Sequence, residues 1–494
     1  MTTEATTGHA EAFAALADDL PTGCYVDGEW RASSDGSLLA VADPSTGETL
    51  TRVANGTVAD AALAVDAAAE ALPGWSTTAP RSRGEILRRA FEFMTGRTEE
   101  LARLIVLENG KTLADARGEV IYAAEFFRWY AEEAVRNNGE IATAPSGSNR
   151  ILVLRQPIGV AALVTPWNFP AAMLTRKVGP ALAAGCTVVC KPASETPLTA
   201  LAIAQVLEEA GVPGGVVNVV PSNRSSKFVG TLLADRRVRK LSFTGSTEVG
   251  TLLLRSAADN IVSCSMELGG NAPFLVFDDA GLDAAVAGAM IAKMRNGGEA
   301  CTSANRFYVQ QGIAEEFSAR LAAEMAGLEM GPGLHDGVQL GPLVNSSSRD
   351  KVDELVSGAL DGGARALVGG RVPDGPGWFY PATVLTGVEP SAEILGTEIF
   401  GPVAPIVTFT TEAEAIEMAN DTEFGLVSYL YTGDLAKGLR VSEAIECGMV
   451  GLNRGLVSDP AAPFGGAKHS GIGREGGHEG MLEYLEAKYI ACTW

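Results

Sequence analysis

Seven cysteines are scattered along this chain (Cys24, Cys186, Cys190, Cys264, Cys301, Cys447 and Cys492), and one is set apart by its neighbours. Cys301 stands in RNGGEACTSANR, residues 295–306, among small and polar residues rather than in an apolar run. That setting suits a nucleophilic thiol of lowered pKa, whereas a cysteine in an apolar run is an inert small hydrophobe. Cys24, Cys186, Cys190 and Cys264 fit the second description. A second stretch, FTGSTEVG at 243–250, passes from a strand end through Gly245 to Ser246 and Thr247 at a helix start. Free N–H groups and the positive end of a helix dipole hold a diphosphate in such a place. The spacing is not G-x-G-x-x-G, and a hydroxyl there also serves simply as an N-cap. Three further stretches adjoin expected strands and strengthen the binding reading: TPWNFP (165–170), KPASETP (191–197) and ELGGNAP (267–273).

Several familiar centres are excluded by spacing. The four histidines (His9, His335, His469 and His478) form no H-E-x-x-H, and Cys186 and Cys190 lie in an apolar strand without histidine partners. No metal site is expected. Gly110-Lys111-Thr112 looks like the tail of a phosphate loop, but Ile105 stands where the leading Gly belongs and a helix precedes it. It reads as a helix end. No G-x-S-x-G elbow is present, which removes a serine hydrolase of that type.

These stretches need elements to hold them. From Arg81 to Arg136 the period is helical: Ile86, Ala90 and Met94 share one face, and Leu101, Leu104 and Ile105 another. Thr98 is the expected cap of the second helix, with Glu99 and Glu100 complementing its dipole and Gly110 stopping it. From Gly159 short apolar runs (GVAALV, CTVVC, GVVNVV, KLSF, APFLVF) alternate with segments of helical length, one opened by Pro197 and closed by Gly211. This predicts parallel strands in a doubly wound sheet, which binds ligands beyond the carboxyl ends of its strands. A second alternation runs through 270–450, broken by GGRVPDGPGWFYP at 369–381. Near the end, Leu485, Ala487, Tyr489 and Ala491 alternate with Glu486 and Lys488. The pattern predicts a strand with one buried face, paired with ILVLR at 151–155 in a small sheet outside both domains, whose edge invites a subunit contact.

The composition sets the outer bounds. With 494 residues, 46% of them hydrophobic, the chain can bury large cores and divides into two or three domains. The 38 Lys+Arg against 60 Asp+Glu give a net charge of −22, a field that repels polyphosphate and excludes a nucleic-acid partner. An odd, scattered set of cysteines indicates a reducing, cytoplasmic setting rather than a disulfide framework. The opening MTTEATTGHAEAFAALADDL is acidic and lacks the basic segment of a signal peptide. The longest apolar runs, such as Val178 to Cys190, fall short of the roughly 18 residues of a membrane span. A soluble protein without a membrane partner is expected.

In their order and spacing, FTGSTEVG, ELGGNAP, GGEACTSANR and EIFGPV (398–403) resemble the aldehyde dehydrogenase superfamily over nearly the whole chain. The resemblance is closest to the succinate-semialdehyde dehydrogenases, through TPWNFPAAMLTRK, KPAS and APFGGAKHSGIGREGG. It implies an α/β fold of three parts: a Rossmann-like cofactor domain (1–138 and 159–266), an α/β catalytic domain (267–465) and a small β-flap for oligomerisation (139–158 and 480–494). It also implies that Cys301 is the nucleophile, that Asn168 and the Cys301 backbone N–H hold the oxyanion, and that Glu267 is the general base for thioester hydrolysis, its pKa raised by burial.

The same resemblance assigns the cofactor cleft to Thr165, Pro166, Trp167, Lys191, Ser194, Gly245, Ser246, Glu398 and Phe400, with Glu398 on the nicotinamide ribose and Lys191 on the adenosine ribose. Relatives preferring NAD often carry Glu where this chain has Ser194, so NADP is the expected cofactor, with NAD possible. Arg176, Arg295 and Ser458 match the residues that grip the distal carboxylate of succinate semialdehyde, a task suited to the planar guanidinium fork. The scarce cations Arg176, Lys177, Lys191 and Arg295 are thus expected to serve two anion pockets in an acidic exterior. Thr302 and Ser303 follow the nucleophile, so the paired-cysteine redox switch of some relatives has no second thiol here. The expected partner is a small aldehyde with a distal carboxylate, and the assembly a homodimer or homotetramer. Another ω-oxo acid, such as glutarate semialdehyde, or an aminoaldehyde is the alternative substrate, and a non-catalytic scaffold the alternative class.

Overall fold

The computed structural model describes residues 2–17 and 20–494, so Met1, Asp18 and Asp19 of the acidic opening stretch lie outside the described residues. Helices Pro80–Gly96 and Thr98–Asn109 realise the predicted helical period, and Gly110, at φ 92°, ends the second in the left-handed region open to glycine. Thr98 does not cap that helix as expected. Its hydroxyl donates instead to Thr95 O at 2.8 Å, because the preceding helix leaves that carbonyl free within reach. After Thr112, whose side chain accepts from Asp115 N, comes helix α1 (Leu113–Glu133).

The first sheet has five parallel strands at its centre: β1 (Val160–Val164), β2 (Thr187–Lys191), β3 (Val217–Val219), β4 (Val238–Thr244) and β5 (Ser263–Glu267). Between them run helices α2 (Pro170–Ala184), α3 (Pro197–Glu209) and, after β4, α4 (Thr247–Ala258). The spatial order is β3-β2-β1-β4-β5, with short antiparallel strands added at both edges. Strands β1 and β2 are buried at every residue, which is why they read as unbroken apolar runs. The order reverses between β1 and β4, so the loops after those strands part and leave a crevice at their carboxyl ends.

The second sheet is built from β6 (Ala272–Val276), β7 (Ala304–Gln310), β8 (Val403–Phe409), β9 (Val427–Tyr431) and β10 (Met449–Leu452), with helix α5 (Leu282–Met294) between β6 and β7. Its order is β8-β7-β6-β9-β10, all parallel, extended beyond β8 by strands Thr383–Thr386 and Arg365–Val368. The Gly/Pro-rich stretch at 369–381 is the connection between those last two. Only Leu268-Gly269-Gly270-Asn271 separates β5 from β6, so the carboxyl end of one sheet meets the amino end of the other across a single tight turn.

A third, small sheet pairs Leu485–Cys492 with Arg150–Pro157 and that strand with Glu140–Thr143. The pairing with 151–155 is as expected, but the buried face is not found: Leu485 alone is buried, and Tyr489 is 59% exposed. The reason is that the strand beside it is only half-buried and the one beyond that is exposed, with neither large core packed over them. No helix among the described residues is long and apolar enough to cross a membrane.

Candidate active site

The crevice between the loops after β1 and β4 is a cleft of about 790 Å³, counting its open mouth. Its walls come from the carboxyl ends of the first sheet (Pro166, Trp167, Asn168, Thr244, Gly245, Ser246) and the amino ends of the second (Cys301 before β7; Glu398, Ile399 and Phe400 before β8). Phe400 holds φ 58°, rare for a bulky side chain, and its ring meets Trp167 edge-on at 5.4 Å. Glu398 accepts from Gly270 N at 3.0 Å, and burial pushes its carboxyl up to about 7. Ser246 caps α4 by accepting from Val249 N.

The chemistry of these walls fits a dinucleotide. Thr244 Oγ1 and Asn168 Oδ1 are buried without a partner, the cap of α4 offers a helix N-terminus, and Glu398 supplies a carboxylate. Lys351, which sequence reasoning missed, lines the same wall and donates to Glu398 O at 2.7 Å. Thr165 and Lys191 lie deeper. They are joined by Thr165 N donating to Lys191 O at 3.2 Å, and neither lines this cleft. Lys191 Nζ donates to Pro192 O at 3.0 Å, and burial lowers its pKa to about 8 against the opposing Glu195 carboxylate. Ser194 Oγ donates to Glu195 Oε2 at 3.1 Å.

Cys301 follows a loop wound through three left-handed residues, Asn296, Gly297 and Gly298. A Cβ on Gly298 would stand 2.2 Å from Gly401 O, so the R-N-G-G spelling is a requirement of this turn. Asn296 tolerates the same region and uses its amide to bond Asn168 O and Glu299 O, each at 2.9 Å. Asn168 lines the cleft, and its Nδ2 donates to Glu299 O at 3.1 Å, with no acceptor for its second N–H among the described residues. The expectation of a low thiol pKa fails. Cys301 is half-buried by area, but desolvation pushes it up to about 12, ahead of the lowering by Arg176 and the raising by Glu398 and Glu267. Glu267, at the end of β5, is buried with Oε2 unpartnered. Burial first, then the Glu475 charge, raise its pKa well above the carboxylate range, with Lys177, Arg176 and Arg474 opposing.

The three residues expected at a distal carboxylate are not placed alike. Arg176 and Arg295 come together on one aromatic residue, 5.6 and 5.7 Å from the Tyr122 ring centroid. Arg176 is buried, lies 4.1 Å over the Phe464 ring, donates to the Tyr122 hydroxyl and pairs with Glu475 at 3.6 Å. Arg295 rests 4.8 Å over Phe169, has no ion pair among the described residues and borders a small cavity with Tyr429 and Leu456. Ser458 is part-exposed and lines neither cavity. Lys177 corrects the expectation of an anion pocket: its Nζ is buried against Glu475 and donates to Ser242 Oγ at 3.0 Å, so its charge is answered within the protein.

Sequence reasoning missed Glu475, Tyr122, Glu119, Lys111 and Asn296. For Glu119 and Tyr122 a signal existed, since they interrupt the apolar face of α1 formed by Ala116, Val120 and Ala123. For Glu475, nearly 300 positions beyond Lys177, no local signal exists.

Residues 30–490 match the sequence profile described as aldehyde dehydrogenase family. A succinate-semialdehyde dehydrogenase of Paenarthrobacter nicotinovorans is 56% identical over 90% of this chain and 99% of its own. A glutarate-semialdehyde dehydrogenase of Pseudomonas putida is 49% identical over 95% of this chain and 97% of its own. Among solved structures, one described as an Escherichia coli NADP dependent enzyme superposes with a TM-score of 0.95 at 47% identity, covering 96% of this chain and 98% of that one.

Proposed function

The chain belongs to the aldehyde dehydrogenase family, and on that premise we propose that it oxidises succinate semialdehyde to succinate with NADP as preferred cofactor. The observation that carries the substrate is the pair of guanidinium groups, Arg176 and Arg295, brought to one aromatic wall, with Arg295 free of any ion pair among the described residues. A carboxylate there gains charge-assisted, bidentate hydrogen bonds.

Cys301 gives its thiol proton to water in the cleft as its Sγ attacks the aldehyde carbon, and the developing oxyanion is held by the free N–H of Asn168 and the Cys301 backbone N–H. The nicotinamide, when bound, supplies the acceptor for the hydride. Trp167, Gly245, Ser246, Glu398 and Phe400 would hold it, with Lys191 and Ser194 toward the adenosine end. Glu267 takes a proton from the water that cleaves the thioester to succinate and free Cys301. Burial raises its pKa, so the ionised carboxylate is a stronger base toward that water than an exposed one, while Lys177, Arg176 and Arg474 favour the ionised form.

Ser194, being neutral, supports NADP, as does the description of the E. coli structure. Its hydroxyl has to turn from Glu195 to meet a 2′-phosphate. The printed name of the Pseudomonas relative favours a second reading, glutarate semialdehyde, one methylene longer. Three parts carry these roles: a cofactor domain (1–138 and 159–266), a catalytic domain (267–465) and a flap (139–158 and 480–494). The protein is cytoplasmic, and it is a homodimer or homotetramer; the latter reading is supported by Ile141, Leu154 and Tyr489, exposed on the flap. Steady-state kinetics with both semialdehydes and both cofactors tests this. We expect kcat/KM highest for succinate semialdehyde with NADP; an advantage of several-fold for NAD, or equal turnover of butanal, refutes the corresponding part.

A further inference from the structure

Lys111 and Glu119 form an ion pair at 2.5 Å with side chains 1% and 0% exposed, in a stretch that reads as nothing more than a helix end. Burying two charges is costly, and a well-packed apolar pair often does as well for stability, so a pair kept here calls for another use. Every hydrogen of the Lys111 ammonium has a destination: Glu119 Oε2, Asn168 O at 2.7 Å, and the face of Phe169, 4.2 Å from its centroid. Asn168 O also accepts from Asn296 Nδ2, so both lone pairs of that carbonyl are taken and the plane of the peptide is fixed. The other oxygen of Glu119 accepts from Ala171 N and Ala172 N, tying the same pair to the first turn of α2.

We infer that Lys111 is a positioning residue: it fixes the main chain at Asn168 so that this side chain aims its free N–H at the oxyanion. The inference rests on the reading of Asn168 as oxyanion donor. Lys111 itself lines neither the cleft nor the cavity beside Arg295. Its effect therefore passes through the peptide it holds.

The test is a double-mutant cycle in single-turnover kinetics. Lys111→Met is measured in the parent and in an Asn168→Ala background. Lys111→Met/Glu119→Gln is measured alongside it, since the glutamine keeps an acceptor for the helix turn and leaves no buried charge unpaired. Removing an oxyanion donor outright costs about 10²–10³ in rate, and misaiming one is expected to cost about tenfold. We expect that tenfold fall in the parent background and less than about twofold where Asn168 is already absent. Equal falls in both backgrounds, or no fall in either, overturn the positioning role. Turnover by the parent enzyme, established first, tests the function reading separately.

Discussion

Arg295→Ala separates substrate recognition from the rest of the machinery. The guanidinium lies on Phe169 and Tyr122 and meets no acidic side chain at ion-pair distance among the described residues, so its hydrogen-bonding edge is available to a carboxylate. Hydrogen bonds to a charged group contribute roughly 1.5–3 kcal/mol, and a bidentate pair lies at the upper end. At about 1.4 kcal/mol per factor of ten, the loss is about 10²-fold in kcat/KM for succinate semialdehyde. Butanal has no carboxylate and loses only the ring contacts that order the pocket, so its kcat/KM is expected to change by less than about threefold. Arg176→Ala is different in kind. Arg176 is one of the cations opposing the raised pKa of Glu267, and it pairs with Glu475. Its loss is therefore expected to weaken the grip on the carboxylate and also to slow turnover of every aldehyde, butanal included. Measuring both variants against both aldehydes yields four ratios, and equal losses of the two substrates in Arg295→Ala would falsify the carboxylate reading.

Two further outcomes follow from the titrating groups. Because burial holds the Cys301 thiol near 12, the thiolate is scarce at neutral pH, and alkylation by iodoacetamide is expected to accelerate about tenfold per pH unit between pH 7 and 9. A plateau below pH 8 contradicts the buried-thiol account. Glu267→Gln removes the base for water but neither the nucleophile nor the oxyanion donors. A first-turnover burst of reduced cofactor is therefore expected to persist while steady-state turnover falls about 10²-fold or more; a burst lost in proportion to turnover counts against this division of labour.

Much of this protein was legible one stretch at a time. The alternation of apolar runs with helical segments predicts two parallel sheets, because a strand covered on both faces has no polar side to show. FTGSTEVG announces a capped helix behind a strand, since capping is decided within a few residues. The small, polar setting of Cys301 was legible too, but not its pKa: the thiol lines the cleft half-buried, and the protein packed around it from elsewhere in the chain pushes the pKa up.

What only the tertiary structure decided is whatever depends on distance through space. That the amino ends of the second sheet face the carboxyl ends of the first places Glu398 and Cys301 opposite Trp167, residues far apart in the chain. The strand at 485–492 alternates as if half-buried, yet in the single chain it has no core to bury against. Lys177 answers Glu475, and Lys111 holds Asn168 O, through contacts that no periodicity encodes. The residue types are written in the sequence, but which charge neutralises which, and how far water is excluded, are sums over neighbours that exist only once the chain has folded.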